Sequence, residues 1–400
     1  LNYLKKIILT YRYLINFLPV LVLFPFLFTA CSDDPSSLGS ELLNQDNIVI
    51  SHLDSFTDTL NQQFASRKTN LALGSSNIII VGKDANVESQ LLLAFSLSIA
   101  DKYLSNYDSI TFVSANLVFT KKYSFGDTLQ PFNVGVHQVT STWNSLFTVD
   151  SLSKLSYASN SVLLSANSSG TDLALDPALV KNWFLAAKDT MLAKNYGVLI
   201  KPTGACKFTG YASSNSYNEN VPELKIVVKK TTSYQSFQDT LTYFGSVDVH
   251  IVTGKFPEPS PQTLTIQSGT GVRGKLWFDL SKLPADAIIN KAVLTLSIDT
   301  LNMKVGTSYS DGLAAYEIAD SIKDSTNSFA AVSLPRSGNK YSGDVQRIIN
   351  NAVITKNNFG IMITSPYLAT GLENFALFNS SVANNELKPR LAITYSQKKK

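Results

Sequence analysis

Cysteine and histidine are almost missing: two cysteines, Cys31 and Cys206, and three histidines, His52, His137 and His250, serve 400 residues. A disulfide framework and a Cys/His zinc cluster are thereby excluded, and no second His or carboxylate stands at metal-ligand spacing from any of the histidines. Each histidine reads as strand surface. Charge is thin too, at 16% of residues with a net of +4. The net falls to +1 without Lys5, Lys6 and Arg12, which lie in an N-terminal segment expected to be removed. Such a chain lacks the clustered basic face that displaces counterions from phosphates, so nucleic acid is not an expected partner. The GxSxG, HExxH and P-loop motifs are absent. Gly269, Gly271 and Gly274 spell GxGxxG, but the alternating KLWFDL that follows is a strand where a phosphate-binding helix should begin. No carboxylate pair stands out for glycoside chemistry. The expectation is a protein that is not an enzyme and needs no cofactor. The acidic loops SYSDG around Asp311 and DLALD around Asp176 lack EF-hand spacing and leave only structural calcium open.

What the chain does hold is apolar and hydroxylic. Hydrophobic residues make up 44% and aromatics 10%, with many Ser, Thr and Asn, a mixture suited to pleated, half-buried strands. Its length exceeds one ordinary core and suggests two domains. Residues 1–30 begin with basic residues and continue in an apolar run of about 15, the size of a secretory h-region. Pro19 and Pro25 break a stretch already short for ~30 Å of hydrocarbon, so a signal peptide is expected. The following LFTAC and SDDP resemble the bacterial lipobox: Thr29 and Ala30 are small residues before Cys31, with Phe28 where Leu is usual. The resemblance implies acyl chains on Cys31, and several on one residue anchor a protein stably to a membrane. Ser32, Asp33 and Asp34 resemble the acidic signal of Bacteroidetes lipoproteins on the outer face of the outer membrane; a solvated acidic linker is the plainer reading. With Cys31 acylated, Cys206 has no partner in the chain and reads as a half-buried thiol.

The chain also repeats itself. KNYGVLIKP at 194–202 has a near-copy in NNFGIMITSP at 357–366, and the flanking segments align with them. Gly197 maps to Gly360, Pro222 to Pro389, Asp58 to Asp239 and Phe95 to Phe278, which marks two copies of one plan joined near residues 228–237. The expected division is a lipidated linker over 31–50, a first domain over 51–230 and a second over 231–397. Each copy has one helical signal. In the first, Asp176 can cap, Pro177 suits the first position, and Leu179, Val180, Trp183, Phe184 and Ala187 share a face; Val345, Ile348, Ile349 and Ala352 repeat the pattern. Elsewhere residues alternate, as in Leu224, Ile226 and Val228, in Leu391, Ile393 and Tyr395, and in Tyr196, Val198 and Ile200. The expected fold is all-β, two tandem β-sandwiches each with one short α-helix.

The run GKLWFDLSKLPADAIINKAVLTLSI at 274–298, with the helix, the Asn-aromatic-Gly phrase and the closing Pro-x-Leu-x-Ile strand, resembles the DNRLRE-type domain. The resemblance spans nearly all of residues 56–397 as two copies. It implies jelly-roll-like β-sandwiches, similar to TGF-beta-propeptide-like sandwiches and to carbohydrate-binding modules attached to alginate lyases. These motifs carry architecture and say little of activity.

Binding chemistry is left to the aromatics, since sugar C–H faces stack on flat rings. Trp143 and Trp183 read as core. Trp277 differs, because Leu276, Phe278 and Leu280 take the core side and leave it outward beside Lys275 and Asp279. It is the candidate carbohydrate-binding residue, or else a cover for the boundary between the copies. Nine Asp-Ser/Thr triplets, against about two expected from composition, resemble the O-glycosylation sequon of exported Bacteroidetes proteins. Their hydroxyls are Thr59, Ser109, Thr128, Ser151, Thr190, Thr240, Thr300, Ser321 and Ser325; turns leading into strands account for the pattern equally well. Together these features lead to the expectation of a surface-exposed outer-membrane lipoprotein that binds polysaccharide or acts as an adhesive module. The alternative is a structural or assembly lipoprotein that holds a protein partner at the outer membrane.

Overall fold

A computed structural model describes residues 48–97, 110–186, 191, 194–216, 220–231, 236–258, 260–327 and 331–398. The expected signal peptide, Cys31, Ser109 and Thr190 lie outside the described residues. Among the described residues strands take up 51% and helices 8%, an all-β fold with large antiparallel sheets. In chain order the strands are β1 (Ile48–Asp54), β2 (Gln62–Lys68), β3 (Ile78–Lys83), β4 (Val87–Phe95), β5 (Ile110–Val118), β6 (Lys121–Phe125), β7 (Val134–Val139) and β8 (Tyr157–Ser161). Next come β9 (Leu163–Ala166), β10 (Asp172–Leu175), β11 (Val198–Pro202), β12 (Cys206–Ala212), β13 (Glu223–Thr231), β14 (Ser236–Gly254), β15 (Thr263–Gln267) and β16 (Val272–Phe278). The last are β17 (Ile288–Ser297), β18 (Gly312–Asp320), β19 (Ser325–Thr326), β20 (Val332–Ser337), β21 (Lys340–Asp344), β22 (Ile361–Thr364), β23 (Asn374–Phe378) and β24 (Arg390–Lys398). The helices are α1 (Val149–Leu152), α2 (Pro177–Ala186) and α3 (Gln346–Thr355).

The chain forms two compact units. The described part of the smaller is residues 48–51, 286–288 and 395–398; the larger, within residues 52–285 and 289–394, holds the bulk of both copies. One sheet runs β6-β12-β3-β4-β14-β13-β5-β10-β9, with β11 joining β4 to β7 and β8 beside β7. The other runs β24-β17-β21-β20-β18-β22-β16-β15-β23, with β2 beside β16 and β19 beside β18.

The two helices expected from the sequence form, and they begin alike. Asp176 Oδ1 accepts from Ala178 N at 2.9 Å, and Asp344 Oδ1 accepts from Gln346 N at 2.9 Å. Each carboxylate satisfies a backbone donor that the first turn leaves open. Leu179, Val180, Trp183 and Phe184 of α2 are buried, as are Ile348 and Ile349 of α3.

The repeated glycine phrase has a backbone reason. Val198 stands opposite Leu93, and at the aligned position Ile361 stands opposite Leu276. Gly197 and Gly360 have φ of 85° and 101°. A Cβ there would lie 2.1 Å from Leu93 O or 2.4 Å from Leu276 O, so only glycine lets the backbones approach. Asn195 Nδ2 donates to Phe95 O at 2.9 Å, and Asn358 Nδ2 donates to Phe278 O at 2.7 Å. Aligned residues therefore make the same bonds in both copies. The left-handed glycine also reverses the strand's phase. Val198 and Ile200 enter one core cluster, whereas Tyr196 packs with Leu199 against another, in place of the unbroken alternation expected for Tyr196, Val198 and Ile200.

Strand pairing crosses between the copies. β14 lies along β4 with Asp248 opposite Leu93, and β2 lies along β16 with Phe64 opposite Leu276. The Asp58–Asp239 match makes β2 and the C-terminal half of β14 counterparts, as Leu93 and Leu276 are. The opening strand of each copy thus completes the sheet of the other. Leu91, Leu92 and Leu93 of β4 are all fully buried, because the core cluster of Ile79 and Val198 covers one face and that of Leu199, Val249 and Ile251 the other. A continuous apolar run is the pattern such a strand requires.

Polar bonds reinforce the exchange. Tyr123 Oη donates to Glu373 Oε1 at 2.9 Å and accepts from Leu372 N at 2.9 Å. Ser124 and Thr307 exchange two bonds: Ser124 N donates to Thr307 Oγ1, and Thr307 N donates to Ser124 O, each at 3.0 Å. Around them Ile80, Phe125, Phe208, Val252, Phe256 and Leu372 form one buried cluster drawn from both copies.

A fragment ending at residue 230 would lack β14 and leave the β4 edge unpaired along its apolar run, a template for aggregation. Residues 51–230 alone are expected to aggregate, whereas residues 69–258, which keep β14 and drop β2, stay in solution and melt cooperatively. Size-exclusion chromatography and thermal circular dichroism distinguish the two.

Candidate functional site

Strand alternation in β16 places Leu276 and Phe278 in the core and leaves Lys275 and Trp277 half-buried on the opposite face. Lys275 Nζ donates to Asp324 Oδ1 at 2.6 Å, and Arg67 Nε donates to Asp324 Oδ2 at 2.8 Å. Burial works to raise the Asp324 pKa, but the bonds and charges of Lys275 and Arg67 outweigh it and hold the carboxyl below its usual value. Lys275 is therefore tied down, and Trp277 is the residue of this face that meets an open space.

Trp277 Nε1 donates to Asn358 O at 3.0 Å, which fixes the indole against the turn after α3. Its ring borders a cleft of about 400 Å³. Leu280, Leu283, Pro284, Ala352 and Val353 supply aliphatic walls, and Asp279, Ser281, Lys356 and Asn358 supply polar ones. All these residues belong to the second copy. Leu280 was expected in the core; β16 ends at Phe278, so Leu280 follows the turn and lines the cleft half-buried. Ala352, also expected on the core face of its helix, is a half-buried wall of the same cleft. The turn is set by Asp279, whose N–H donates to Asn61 O at 2.8 Å and whose Oδ1 accepts from Ser281 N at 3.0 Å. The bonds from the Ser281 backbone and hydroxyl hold the Asp279 carboxyl below its usual pKa and keep it charged at neutral pH.

Trp183 is buried in the first core, as expected, and Trp143 is half-buried. Trp143 Nε1 donates to Tyr196 O at 2.7 Å, just before Gly197, much as Trp277 holds the carbonyl two residues before Gly360. Both indoles thus brace the glycine turns, and only the surroundings of Trp277 open into the cleft described above.

The histidines divide. His52 Nδ1 lies 3.1 Å from Thr394 Oγ1, and His137 Nδ1 lies 3.0 Å from Ala158 O. His250 is a correction to the surface reading, being fully buried opposite Leu91 of β4. The exchanged β14 carries it onto the same face as the buried leucines, and loss of solvent lowers its pKa to about 3, so it is neutral. Two residues earlier Asp248 is 1% exposed, and its Oδ2 accepts from Ser214 N at 2.5 Å. Burial raises the Asp248 pKa to about 6, partly offset by the bonds from Ser214. Cys206, expected half-buried, is buried in β12, and burial raises its pKa as well.

The acidic loops have protein partners. Asp176 caps α2, and Asp311 Oδ1 accepts from Arg336 Nη1 at 3.4 Å. Among the described residues no group of three or more His, Cys, Asp or Glu stands together as a metal site, and no helix is long and apolar enough to cross a membrane. Of the candidate glycosylation hydroxyls, Thr59, Thr128, Thr240, Thr300, Ser321 and Ser325 are exposed and Ser151 is half-buried. Several of their aspartates do turn chemistry: Asp127 Oδ1 accepts from Leu129 N, and Asp320 Oδ1 accepts from Ile322 N. No protein-family model matches the chain, and no curated protein matches it.

Asp248 makes a stability prediction with a defined sign. Its folded pKa of about 6 lies above the ordinary 3.8, so the unfolded state releases the proton first and stability falls as pH rises between those values. The loss amounts to about 3 kcal/mol once pH exceeds 6. Relative to wild type, Asp248→Asn should therefore gain up to ~3 kcal/mol of stability between pH 4 and pH 7.5. Urea unfolding at the two pH values measures it.

Proposed function

We propose that the protein is a non-catalytic, lipid-anchored outer-membrane protein, exposed at the cell surface, whose two tandem jelly-roll-like β-sandwiches bind polysaccharide or act as an adhesive module. The observation that carries this reading is the Trp277 cleft. Its indole ring offers a flat apolar face to sugar C–H groups, while Asp279, Ser281, Lys356 and Asn358 place hydrogen-bonding groups around it. Asp279 is the lone carboxylate among its walls, whereas hydrolysis of a glycosidic bond ordinarily uses two that face each other. The resemblance to DNRLRE-type domains and the lipobox-like LFTAC support the architecture and the anchor. The aliphatic walls of the same cleft favour a second reading, a structural or assembly lipoprotein that holds a protein partner at the outer membrane, since Leu, Pro, Ala and Val suit a buried apolar side chain.

Screening the protein on a glycan array against Trp277→Ala tests the first reading. Binding is expected to fall at least tenfold at a temperature where circular dichroism shows the variant still folded, its melting temperature being lowered by loss of the bond to Asn358 O. A stoichiometric protein cross-link in cells, with no glycan bound, selects the second. The anchor is tested separately: metabolic acyl-chain labelling should be lost in Cys31→Ala, and added protease should digest the wild-type protein on intact cells.

A further inference from the structure

A second cleft, of about 430 Å³, is built from both copies and differs in chemistry from the Trp277 cleft. Asn77 and Ile78, at the start of β3, come from the first copy. Ser308, Tyr309 and Ser310 come from the loop before β18, and Ser365, Tyr367 and Thr370 from the loop after β22. Glu373 and Phe375 close it. No lysine or arginine is among these residues, so an anionic ligand would find no countercharge there. Hydroxyls predominate. Ser308 Oγ donates to Lys122 O at 3.3 Å, and Thr370 Oγ1 donates to Tyr367 O at 3.2 Å, so each oxygen keeps lone pairs for a ligand donor. Ser365 Oγ accepts from Tyr367 N at 3.2 Å, which sets the turn that carries Tyr367. Tyr367 is 54% exposed, so its ring is open to a ligand at the mouth of the cleft.

The cleft is also held rigid from behind. Glu373 is 4% exposed, and its carboxylate accepts from Tyr123 Oη in the first copy. Gly371 leaves no room for a side chain, since a Cβ there would lie 2.1 Å from Glu373 Oε2. The Ser124–Thr307 bonds fix the loop that bears Ser308 and Tyr309. A preorganised set of hydroxyls, one amide, one carboxylate and two phenol rings matches a ligand rich in hydroxyl donors with an apolar ring face.

We infer that this cleft between the copies is a second saccharide site, one that takes an uncharged sugar residue, with Tyr367 as its stacking face and Asn77 and Ser310 as its hydrogen-bonding groups. It shares the ligand class of the proposed function but none of the Trp277 residues, so the two stand or fall separately.

The test is affinity electrophoresis of the whole protein in gels containing yeast mannan, laminarin, xyloglucan or polygalacturonate. Four proteins are compared: wild type, Trp277→Ala, Tyr367→Ala and Tyr367→Phe. The expected result is retardation by at least one neutral polysaccharide, weakened about tenfold by Tyr367→Ala and preserved in Tyr367→Phe, which keeps the ring. Tyr367→Ala and Tyr367→Phe should keep the wild-type melting temperature, since Tyr367 is exposed; Trp277→Ala, which loses the bond to Asn358 O, is run well below its own, lower melting temperature. Retardation lost in Trp277→Ala but unchanged in Tyr367→Ala would overturn this site and leave the proposed function standing. Retardation lost only in Tyr367→Ala would support this site and remove the Trp277 site. Binding of polygalacturonate alone, or of no polysaccharide, would overturn the inference.

Discussion

The pairing of β14 with β4 and of β2 with β16 is the constraint on which the rest of the molecule depends. A strand as apolar as β4 needs a partner on each edge and a cover on each face, because an unpaired buried backbone group costs as much as a lost hydrogen bond. The first copy supplies β3 and β11 along one edge of β4, while the other edge is paired by a strand that belongs to the second copy in sequence. The reciprocal pairing of β2 with β16 does the same for the second copy. Neither sheet is complete without a strand from the other copy. Two compact sandwiches joined by a free linker would have permitted relative motion; the exchange instead ties each sheet to a strand that the other copy supplies in sequence.

That constraint determines where rigid clefts can form. Tyr123 reaches Glu373 and Leu372 because β6, beside β12 in the first sheet, packs against the loop before β23. The low local dielectric that makes this pair costly to break also keeps its geometry single-valued. The buried Asp248 and His250 are a cost of the same arrangement. They sit on β14 opposite Leu93 and Leu91, where the exchange brings polar residues onto an apolar face. Both are pushed toward their uncharged forms by burial, as expected of groups retained where solvent is lost.

Much of the fold was legible in the sequence, for local reasons. Helix α2 is announced by Asp176-Pro177 and its apolar face, and the glycine turns by a phrase that recurs with the same spacing to its Asn. These signals depend on a few neighbouring residues. The exchange was not legible, because β2 and β14 have the same alternating character whichever copy they complete; a period-2 pattern fixes which face is buried and is silent about the partner strand. His250 was misread for the same reason. Its neighbours Val249 and Ile251 alternate with it as an outward residue would, and both faces of β14 turned out to be covered. Trp277 was placed on the correct face by parity alone, whereas Leu280 and Ala352 were not, since parity ends where the strand ends. Tyr309 and Tyr367 left only a faint trace: each is an aromatic in a Ser/Gly/Thr-rich loop, GTSYSDG and SPYLATG, with no counterpart in the other copy.

That asymmetry bears on where binding resides. A residue that recurs in both copies and makes the same bond in each, as Asn195 and Asn358 do, is accounted for by the fold. The indoles of Trp143 and Trp277 are accounted for in part, because both secure a carbonyl beside a glycine turn. What the fold leaves unexplained is the remainder: the open space beside Trp277, and an exposed Tyr367 on a loop, residues 365–373, that is longer than its counterpart at 203–205. Loops tolerate such additions because they cost the sheets nothing. The exchanged strands and the Tyr123–Glu373 bond hold these loops in fixed positions, so side chains free of any duty to the sandwich face solvent with little conformational entropy left to lose on binding.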